Sequence, residues 1–239
     1  MTKIKRKNDQ FWVFIPARSG SKTIKNKNII KFIDKPLIAH SIISGKKLNI
    51  GKVVVSSDSK KYLAISKKFG ADLLHLRSKK YSKDKTSDLE VFKNFLLYIK
   101  KIGLKPPSYF IHLRPTTPLR KLLTLKKAIK LFLKNEFKIT SMRSVTPMSN
   151  PSQKTMKIKK NKLCSVIGNN FNLDKFNKPK EFFEKTYLPN GYIDIVSSKN
   201  IRLNIMHGNK VLPFIINELN SDIDGKEDLN YINYRIKKK

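Results

Sequence analysis

FWVFIPARSGSKTIKNKN, residues 11–28, is the stretch that decides the fold. Its first five residues, 11–15, are all apolar, and the run stops at Pro16. A short strand without polar positions is typical of a parallel sheet that is covered on both faces. The loop after it combines cations with Gly20 and serines, so that backbone N–H groups and charged side chains can both reach an anion. The loop is therefore predicted to hold phosphate groups, and a basic surface loop is the alternative.

Strand, loop and helix alternate along most of the chain. After the first strand, further strands are predicted at 52–56, 72–76, 108–113, 138–145, 192–196 and 211–216. Helices are predicted from Pro36 onward and at 60–69, 88–102, 121–135 and 227–236. The capping box Ser87-x-x-Glu90 opens the helix at 88–102. This alternation predicts an α/β fold with a Rossmann-like, mostly parallel sheet. Ligands of such sheets bind beyond the carboxyl ends of the strands, so the loops 16–28 and 114–120 are expected to lie together.

Two segments fall outside this alternation. Residues 1–10 are expected to be a flexible basic tail, followed by a single domain over residues 11–239. Residues 146–189 are polar and weakly periodic, which indicates an excursion from the sheet.

The formal net charge is +35, from 52 Lys and Arg against 17 Asp and Glu. Such a charge is typical of nucleic-acid-binding proteins, in which clustered cations neutralise phosphates. Here the lysines are scattered, and the abundance of Lys, Ile and Asn together indicates the codon usage of an A/T-rich genome. Nucleic acid is therefore not expected as a partner, and part of the charge is expected to steer anionic substrates.

Several classes of protein and site are disfavoured by the sequence. Cys164 is the only cysteine, which excludes an internal disulfide and most Cys-based zinc sites. No apolar run approaches the roughly 18–20 residues of a membrane span, and the first residues lack the apolar segment of a signal peptide. A cytoplasmic protein without a membrane partner is therefore expected. The loop 16–28 has neither the glycine spacing of a Walker A motif nor that of a dinucleotide-binding fold.

Six motifs occur in an order that resembles one family. They are IPARSGSKTIKNKN (15–28), VVVSSDS (53–59), LRSKKYSKDKTSD (76–88), LRPTTPLR (113–120), PNGYIDI (189–195) and SDIDGKEDL (221–229). Together they span about residues 11–232 and resemble the acylneuraminate cytidylyltransferases, also called CMP-sialic acid synthetases. The resemblance implies the fold of the nucleotide-diphospho-sugar transferases. It also implies a homodimer formed through a protruding arm, which we assign to residues 140–190.

The resemblance implies an enzyme that joins CMP from CTP to the anomeric hydroxyl of an acidic nine-carbon sugar and releases pyrophosphate. Its CTP-binding residues would be Arg18, Ser21, Lys22, Lys27, Asn28 and Arg77, with Asn28 at the cytosine. Asp222 and Asp224 would bind Mg²⁺, and catalytic roles are implied for Arg18, Lys22 and Asp224. Side chains two residues apart on an extended segment point to the same side, and carboxylate oxygens suit Mg²⁺. The alternative for this pair is that the two acids stabilise the N-terminus of the last helix.

The sugar side of the resemblance is less regular. Sugar binding is assigned to Lys180, Asn190 and Arg114. Arg114 stands where the family usually has Gln, and Asp194 where it commonly has Tyr. Leu188 and Lys180 occupy positions that are Arg in the sialic-acid-specific members, while Thr23 and Ser78 replace a Gly and a Pro near the nucleotide. Legionaminate, pseudaminate, N-acetylneuraminate and other 3-deoxy-2-ulosonic acids therefore all remain possible substrates.

Three other functions stay open at the level of sequence. The first is a CMP-ketodeoxyoctulosonate type of transferase, whose first loop usually continues with Pro-Gly-Lys, where this chain has Ser-Lys and Lys-Asn. The second is a basic nucleic-acid-binding protein of similar fold. The third is an inactive relative, which the departures on the sugar side allow.

Overall fold

A seven-stranded sheet forms the centre of the computed structural model, which describes residues 10–217 and 222–238. The predicted tail therefore lies outside the described residues, apart from Gln10. The strands are β1 (Phe11–Pro16), β2 (Lys31–Phe32), β3 (Lys35–Pro36), β4 (Val53–Ser57), β5 (Leu73–Leu76), β6 (Tyr109–His112), β7 (Ser141–Pro147), β8 (Met156–Lys159), β9 (Lys162–Ser165), β10 (Tyr187–Ser197) and β11 (Val211–Ile215). The helices are α1 (Leu37–Leu48), α2 (Lys60–Lys68), α3 (Asp88–Lys101), α4 (Leu122–Asn135), α5 (Ser198–Arg202) and α6 (Lys226–Lys237).

The main sheet has the order β11-β7-β10-β6-β1-β4-β5. Every neighbouring pair is parallel except those of β10, which runs antiparallel to both β6 and β7. The predicted α/β class with a mostly parallel sheet is thus confirmed. The strands expected at 192–196 and 138–145 are present but shifted in their bounds, and the short helix α5 was not predicted.

Strand β1 lies between two layers of helices, which explains why it contains no polar residue before Pro16. Val13 and Ile15 belong to the apolar cluster that α1, α2 and α4 cover. Trp12 and Phe14 point the other way and pack with α3, where the Phe14 and Phe92 ring centroids are 4.3 Å apart. Alternation along one strand therefore supplies both cores, because successive side chains of a strand point to opposite faces.

The predicted capping box of α3 is present. The Ser87 hydroxyl accepts a hydrogen bond from the Glu90 backbone N–H at 3.3 Å, and the Glu90 carboxylate accepts one from the Ser87 N–H at 2.7 Å. Both bonds satisfy donors that the first helical turn leaves without a partner. This fixes the start of α3 at the edge of the loop 77–87 that follows β5.

The range 140–190 is only partly separate from the sheet. Its ends, 141–147 and 187–190, lie in β7 and β10, whereas residues 148–186 lie outside the main sheet. This excursion contains the hairpin of β8 and β9 and three short 3-10 turns. Within the described ranges, no helix combines the length and the apolar character needed to cross a membrane.

Candidate functional site

A cavity of about 430 Å³ opens beyond the carboxyl ends of β1, β5 and β6. It is lined by Pro16, Arg18, Ser21, Lys22, Thr23, Lys27, Asn28, Arg77, Tyr81, Ser82, Lys83, Thr86, Asp88, Val91, Arg114, Pro115, Thr116 and Asp224. The loops after β1 and β6 do lie together, as the sheet topology predicts. The fold also brings in the loop 77–87 and the start of the last helix.

The six residues that the resemblance assigned to CTP all line this cavity. Arg114 and Asp224 line it as well, whereas Asp222, Asn190 and Lys180 do not. Lys180 lies in an exposed 3-10 turn of the excursion, and Leu188 is 60% exposed. The structure thus gathers the nucleotide side of the expected site and leaves Lys180 of the same chain away from it.

The carboxylate of Asp84 bridges two cations of the first loop, Arg18 and Lys22. Asp84 lies 2.5 Å from Nη1 of Arg18 and 2.6 Å from Nζ of Lys22, one carboxylate oxygen to each. Hydrogen bonds from Lys22 and Arg18 hold the pKa of Asp84 below its ordinary value. Ion pairs this exposed are weak, so another anion can replace Asp84 at little cost. The two cations are therefore arranged as an anion-binding pair.

Arg77 is a buried cation at the same cavity. Arg77 is only 5% exposed. Burial lowers the pKa of Arg77 to about 10, which leaves it charged at neutral pH. Within the described part of the chain its Nε has no hydrogen-bond partner and no carboxylate lies within ion-pair distance. A buried guanidinium in this state favours an anionic ligand, because an unpaired buried charge is costly.

The first loop is held in place by hydrogen bonds to Asp58 and from Asn28. The Asp58 carboxylate accepts hydrogen bonds from the Ser19 backbone N–H at 2.9 Å and from its hydroxyl at 2.7 Å. Asn28 is buried and donates its side-chain N–H to the Arg18 carbonyl at 2.9 Å. These bonds tie both ends of the loop, so that its cations project from a fixed backbone.

Asp224 faces the first loop across the cavity. Its carboxylate lies 3.0 Å from Nζ of Lys27, and its backbone carbonyl accepts a hydrogen bond from the Thr23 hydroxyl at 2.5 Å. The Asp228 carboxylate accepts from the N–H groups of residues 224 and 225 at 2.9 and 2.8 Å and caps α6. Asp228 thus caps α6, and the carboxylate of Asp224 is left to pair with Lys27.

Asp222 is a half-buried carboxylate behind Asp224. Burial raises the pKa of Asp222, and the charge of Asp224 raises it further, while a hydrogen bond from Thr116 lowers it. Its Oδ1 has no hydrogen-bond partner among residues 10–217 and 222–238. No cluster of three or more His, Cys, Asp or Glu side chains with metal-binding geometry occurs in those ranges either.

The residues assigned to the sugar are held by bonds within the protein. The Arg114 guanidinium donates to Asp88 and to Asp194, each at 3.0 Å. Asn190 donates to the Thr146 hydroxyl at 2.8 Å and accepts from the Tyr192 N–H. Asp88 was not predicted as a site residue, because its place beside the capping box is fully accounted for by the helix N-terminus.

The cytidylyltransferase family pattern matches residues 12–186, which is more than half of the chain. The chain belongs to the cytidylyltransferase family. The predicted enzyme class is therefore confirmed, and relatives named for N-acylneuraminate and legionaminic acid confirm the predicted resemblance.

This cytidylyltransferase is similar to two relatives in sequence and to one solved structure in fold. An N-acylneuraminate cytidylyltransferase of Escherichia coli is 35% identical over 218 residues, which are 90% of this chain and 49% of the relative. A CMP-N,N'-diacetyllegionaminic acid synthase of Legionella pneumophila is 30% identical over 224 residues, 88% of each chain. The chain therefore spans about half the length of the first relative but most of the second.

The solved structure is that of a CMP:2-keto-3-deoxy-manno-octonic acid synthetase complexed with CTP. It superposes with a TM-score of 0.68 over 96% of this chain and 99% of that one, at 12% identity. At this identity the likeness concerns the fold alone.

Proposed function

We propose that this cytidylyltransferase transfers CMP from CTP to the anomeric hydroxyl of a nonulosonic acid, an acidic nine-carbon sugar, and releases pyrophosphate. The observation that carries the proposal is the cavity in which Arg18, Lys22, Lys27 and Arg77 converge beyond the strand ends. Four cations in one cavity match the charge of a triphosphate, and fixed charges that meet developing negative charge are an effective source of transition-state stabilisation.

Each nucleotide residue has a role in this proposal. Arg18 and Lys22 bind the phosphates after Asp84 has left them, and Ser21 contributes a small residue that lets the backbone approach. Lys27 reaches the phosphates from the Asp224 side, and Arg77 binds from the floor. Asn28 faces the cytosine. Arg18 and Lys22 are catalytic in the sense that their charges oppose the charge that gathers as pyrophosphate leaves.

Asp222 and Asp224 are proposed to hold a divalent cation, with Mg²⁺ the best fit. The partnerless Oδ1 of Asp222 and the largely exposed carboxylate of Asp224 provide the hard oxygen ligands that Mg²⁺ prefers. Substrate phosphates would complete the coordination, as is usual for this ion. When bound, the ion neutralises phosphate charge and lowers the pKa of a coordinated hydroxyl.

The chemistry asked of the chain is mainly positioning. The sugar hydroxyl attacks the α-phosphorus of CTP, and one P–O bond forms as the bond to pyrophosphate breaks. Asp224 lines the cavity and lies 3.0 Å from Nζ of Lys27, and we propose that it assists removal of the hydroxyl proton. Holding two reactants in line can account for a large part of such a rate enhancement.

The sugar class is proposed from the relatives and from the site. The curated relatives carry the names of N-acylneuraminate, legionaminic acid and pseudaminic acid transferases, and all three names denote carboxylate-bearing sugars. Arg114, which lines the cavity, and Asn190, which lies outside its lining, are proposed to bind the sugar. Lys180 does not line this cavity in its own chain, so we propose that it acts on the site of a second copy.

A homodimer is the second part of that proposal. The excursion and the adjoining strand expose large apolar side chains at Ile158, Leu163, Val166, Ile167, Phe171, Phe182, Tyr187 and Leu188. A contiguous segment with this many exposed apolar residues favours a protein partner. We propose that the partner is a second copy, so that Lys180 of one copy acts on the sugar site of the other. We further propose a cytoplasmic enzyme, since the single, buried Cys164 agrees with a reducing compartment.

The test is pyrophosphate release from CTP and Mg²⁺ with a panel of sugars: N-acetylneuraminate, a legionaminate, a pseudaminate and ketodeoxyoctulosonate. We expect release with at least one nonulosonic acid. Lys22→Ala is expected to raise the KM for CTP about tenfold or more, by loss of a charge-assisted phosphate contact. Lys46→Ala is the matched control, because Lys46 also pairs with an aspartate at 2.7 Å but lies outside the cavity.

Four results would count against parts of the proposal. Folded protein that releases pyrophosphate with none of the sugars would remove it, and release with ketodeoxyoctulosonate alone would replace the sugar class. Asp224→Asn with unchanged turnover would remove the role given to that carboxylate. Light scattering that finds only monomers at assay concentrations would remove the dimer.

A further inference from the structure

Arg114 is held at the cavity wall between two carboxylates of different depth. Its Nη1 donates to Oδ2 of Asp194 and its Nη2 to Oδ2 of Asp88, both at 3.0 Å. The Asp194 side chain is 0% exposed, that of Asp88 is 41% exposed, and that of Arg114 lies between at 21%. One ion pair is therefore sealed inside the protein, while the other borders the cavity.

The buried carboxylate of the inner pair, Asp194, has no access to water that could replace Arg114. Asp194 lies on β10, directly opposite His112 of β6 and Arg143 of β7. Burial lowers the pKa of His112 to about 4, so this ring is neutral at pH 7 and does not compensate the carboxylate. Nε of Arg143 is 3.8 Å from the other carboxylate oxygen, too far for a good hydrogen bond. Arg114 is therefore the principal partner of Asp194.

The outer pair is exchangeable. Asp88 is the first residue of α3, and a carboxylate at that place is stabilised by the helix N-terminus even without a cationic partner. Asp194 has no such support, and a buried charge that loses its partner is strongly destabilising. An incoming carboxylate therefore displaces Asp88 from Arg114 far more readily than it displaces Asp194.

The two ends of the inner pair are also two of the places where the chain departs from its family. Residues 114 and 194 are 80 positions apart in sequence, yet their side chains form one contact. The positions expected to carry arginines toward the sugar instead hold Lys180, outside the cavity, and Leu188. Arg114 does line the cavity, together with its neighbours Pro115 and Thr116.

We infer that Asp194 is a positioning residue that fixes Arg114 as the receptor for the sugar's carboxylate, which takes the place of Asp88. The inference rests on the proposed function and deepens its sugar side. The bound state keeps the Asp194–Arg114 pair and replaces one carboxylate on Arg114 by another, so that no buried charge is left alone. Arg is suited to this, because the N–H donors along the edges of its planar guanidinium can bind two carboxylates at once.

The test compares KM for the sugar with KM for CTP in four variants. Asp194→Asn keeps the shape but removes the charge, and we expect the sugar KM to rise about tenfold or more with the CTP KM unchanged within about twofold. Arg114→Gln should have a larger effect on the same constant. The double variant should lose no more than Arg114→Gln alone, because both changes remove one interaction. Asp88→Asn should instead lower the sugar KM by about two- to fivefold, since a competitor is removed.

Asp72→Asn is the control, because Asp72 also pairs with a cation but lies far from the cavity. Urea midpoints of all variants separate a folding defect from a binding defect. An unchanged sugar KM in Asp194→Asn, parallel changes in both KM values, additive effects in the double variant, or a raised sugar KM in Asp88→Asn would each overturn the inference while leaving the proposed function intact. Absence of turnover in the wild-type protein would overturn both.

Discussion

Gly191 lies against Arg114, the residue proposed to bind the sugar. Its φ of +65° lies in the left-handed region that side chains rarely adopt. A Cβ atom built there would lie 3.0 Å from Oγ1 of Thr117, 3.4 Å from Cδ of Arg114 and 3.6 Å from Oδ2 of Asp222. Gly191→Ala therefore adds two separate costs, one from the backbone and one from crowding.

The two costs can be estimated and separated. Left-handed backbone costs a residue with a Cβ about 1–2 kcal/mol, and overpacking a buried position costs about 1–3 kcal/mol. Gly103→Ala is the matched control, because Gly103 has a φ of +73° but no atom within 4 Å of its built Cβ. The entropy that alanine removes from the unfolded chain is the same in both variants and cancels. The difference between the variants therefore reports the crowding alone.

Urea denaturation measures the free energy of unfolding of both variants, and steady-state kinetics measures their KM values. We expect Gly191→Ala to lose about 1–3 kcal/mol more than Gly103→Ala. We also expect it to raise the sugar KM, because Thr117 must move to admit the methyl group, which then lies against Cδ of Arg114. Equal losses in the two variants, together with an unchanged sugar KM, would show that the close approach at Gly191 does not support the site.

Two further predictions follow from charges in and behind the cavity. Asp84→Asn frees Arg18 and Lys22, so we expect tighter binding of CTP and of pyrophosphate by roughly two- to tenfold, measured by calorimetry. Burial lowers the pKa values of His75 and His112 to about 4 in the folded protein, below the ordinary value of 6.5. Between these values the unfolded chain binds more protons, so the free energy of unfolding should be highest above about pH 6.5 and should fall as the pH is lowered toward 4.

Each of these has an outcome that contradicts it. Weaker nucleotide binding by Asp84→Asn would mean that the carboxylate assists the ligand instead of occupying its place. For the histidines, NMR titration of the ring carbons gives the individual pKa values. Rings that become charged near pH 6.5 in the folded protein would remove the predicted dependence of stability on pH.

Local features of the fold were predictable because their causes are local. The apolar run before Pro16 indicates a strand buried on both faces, and Ser87 with Glu90 marks the start of α3 to the residue. The direction of β10 was not predictable, because an alternating or apolar pattern is the same for a parallel and an antiparallel neighbour. The short helix α5 was missed for a similar reason, since five residues are too few to show a helical period.

The sequence by itself determined the class of fold, the family and the group of cations in the first loop, since each depends on residues close together or on motifs in a fixed order. Only the tertiary structure decided how those residues are paired. It brings Asp84 onto Arg18, Asp58 under Ser19 and Asp194 onto Arg114, contacts between residues 66, 39 and 80 positions apart. Such pairings depend on which strands are neighbours in the sheet and on how deep each carboxylate is buried. Propensity and periodicity contain neither quantity, and so the receptor proposed for the sugar's carboxylate emerges only once the chain is folded.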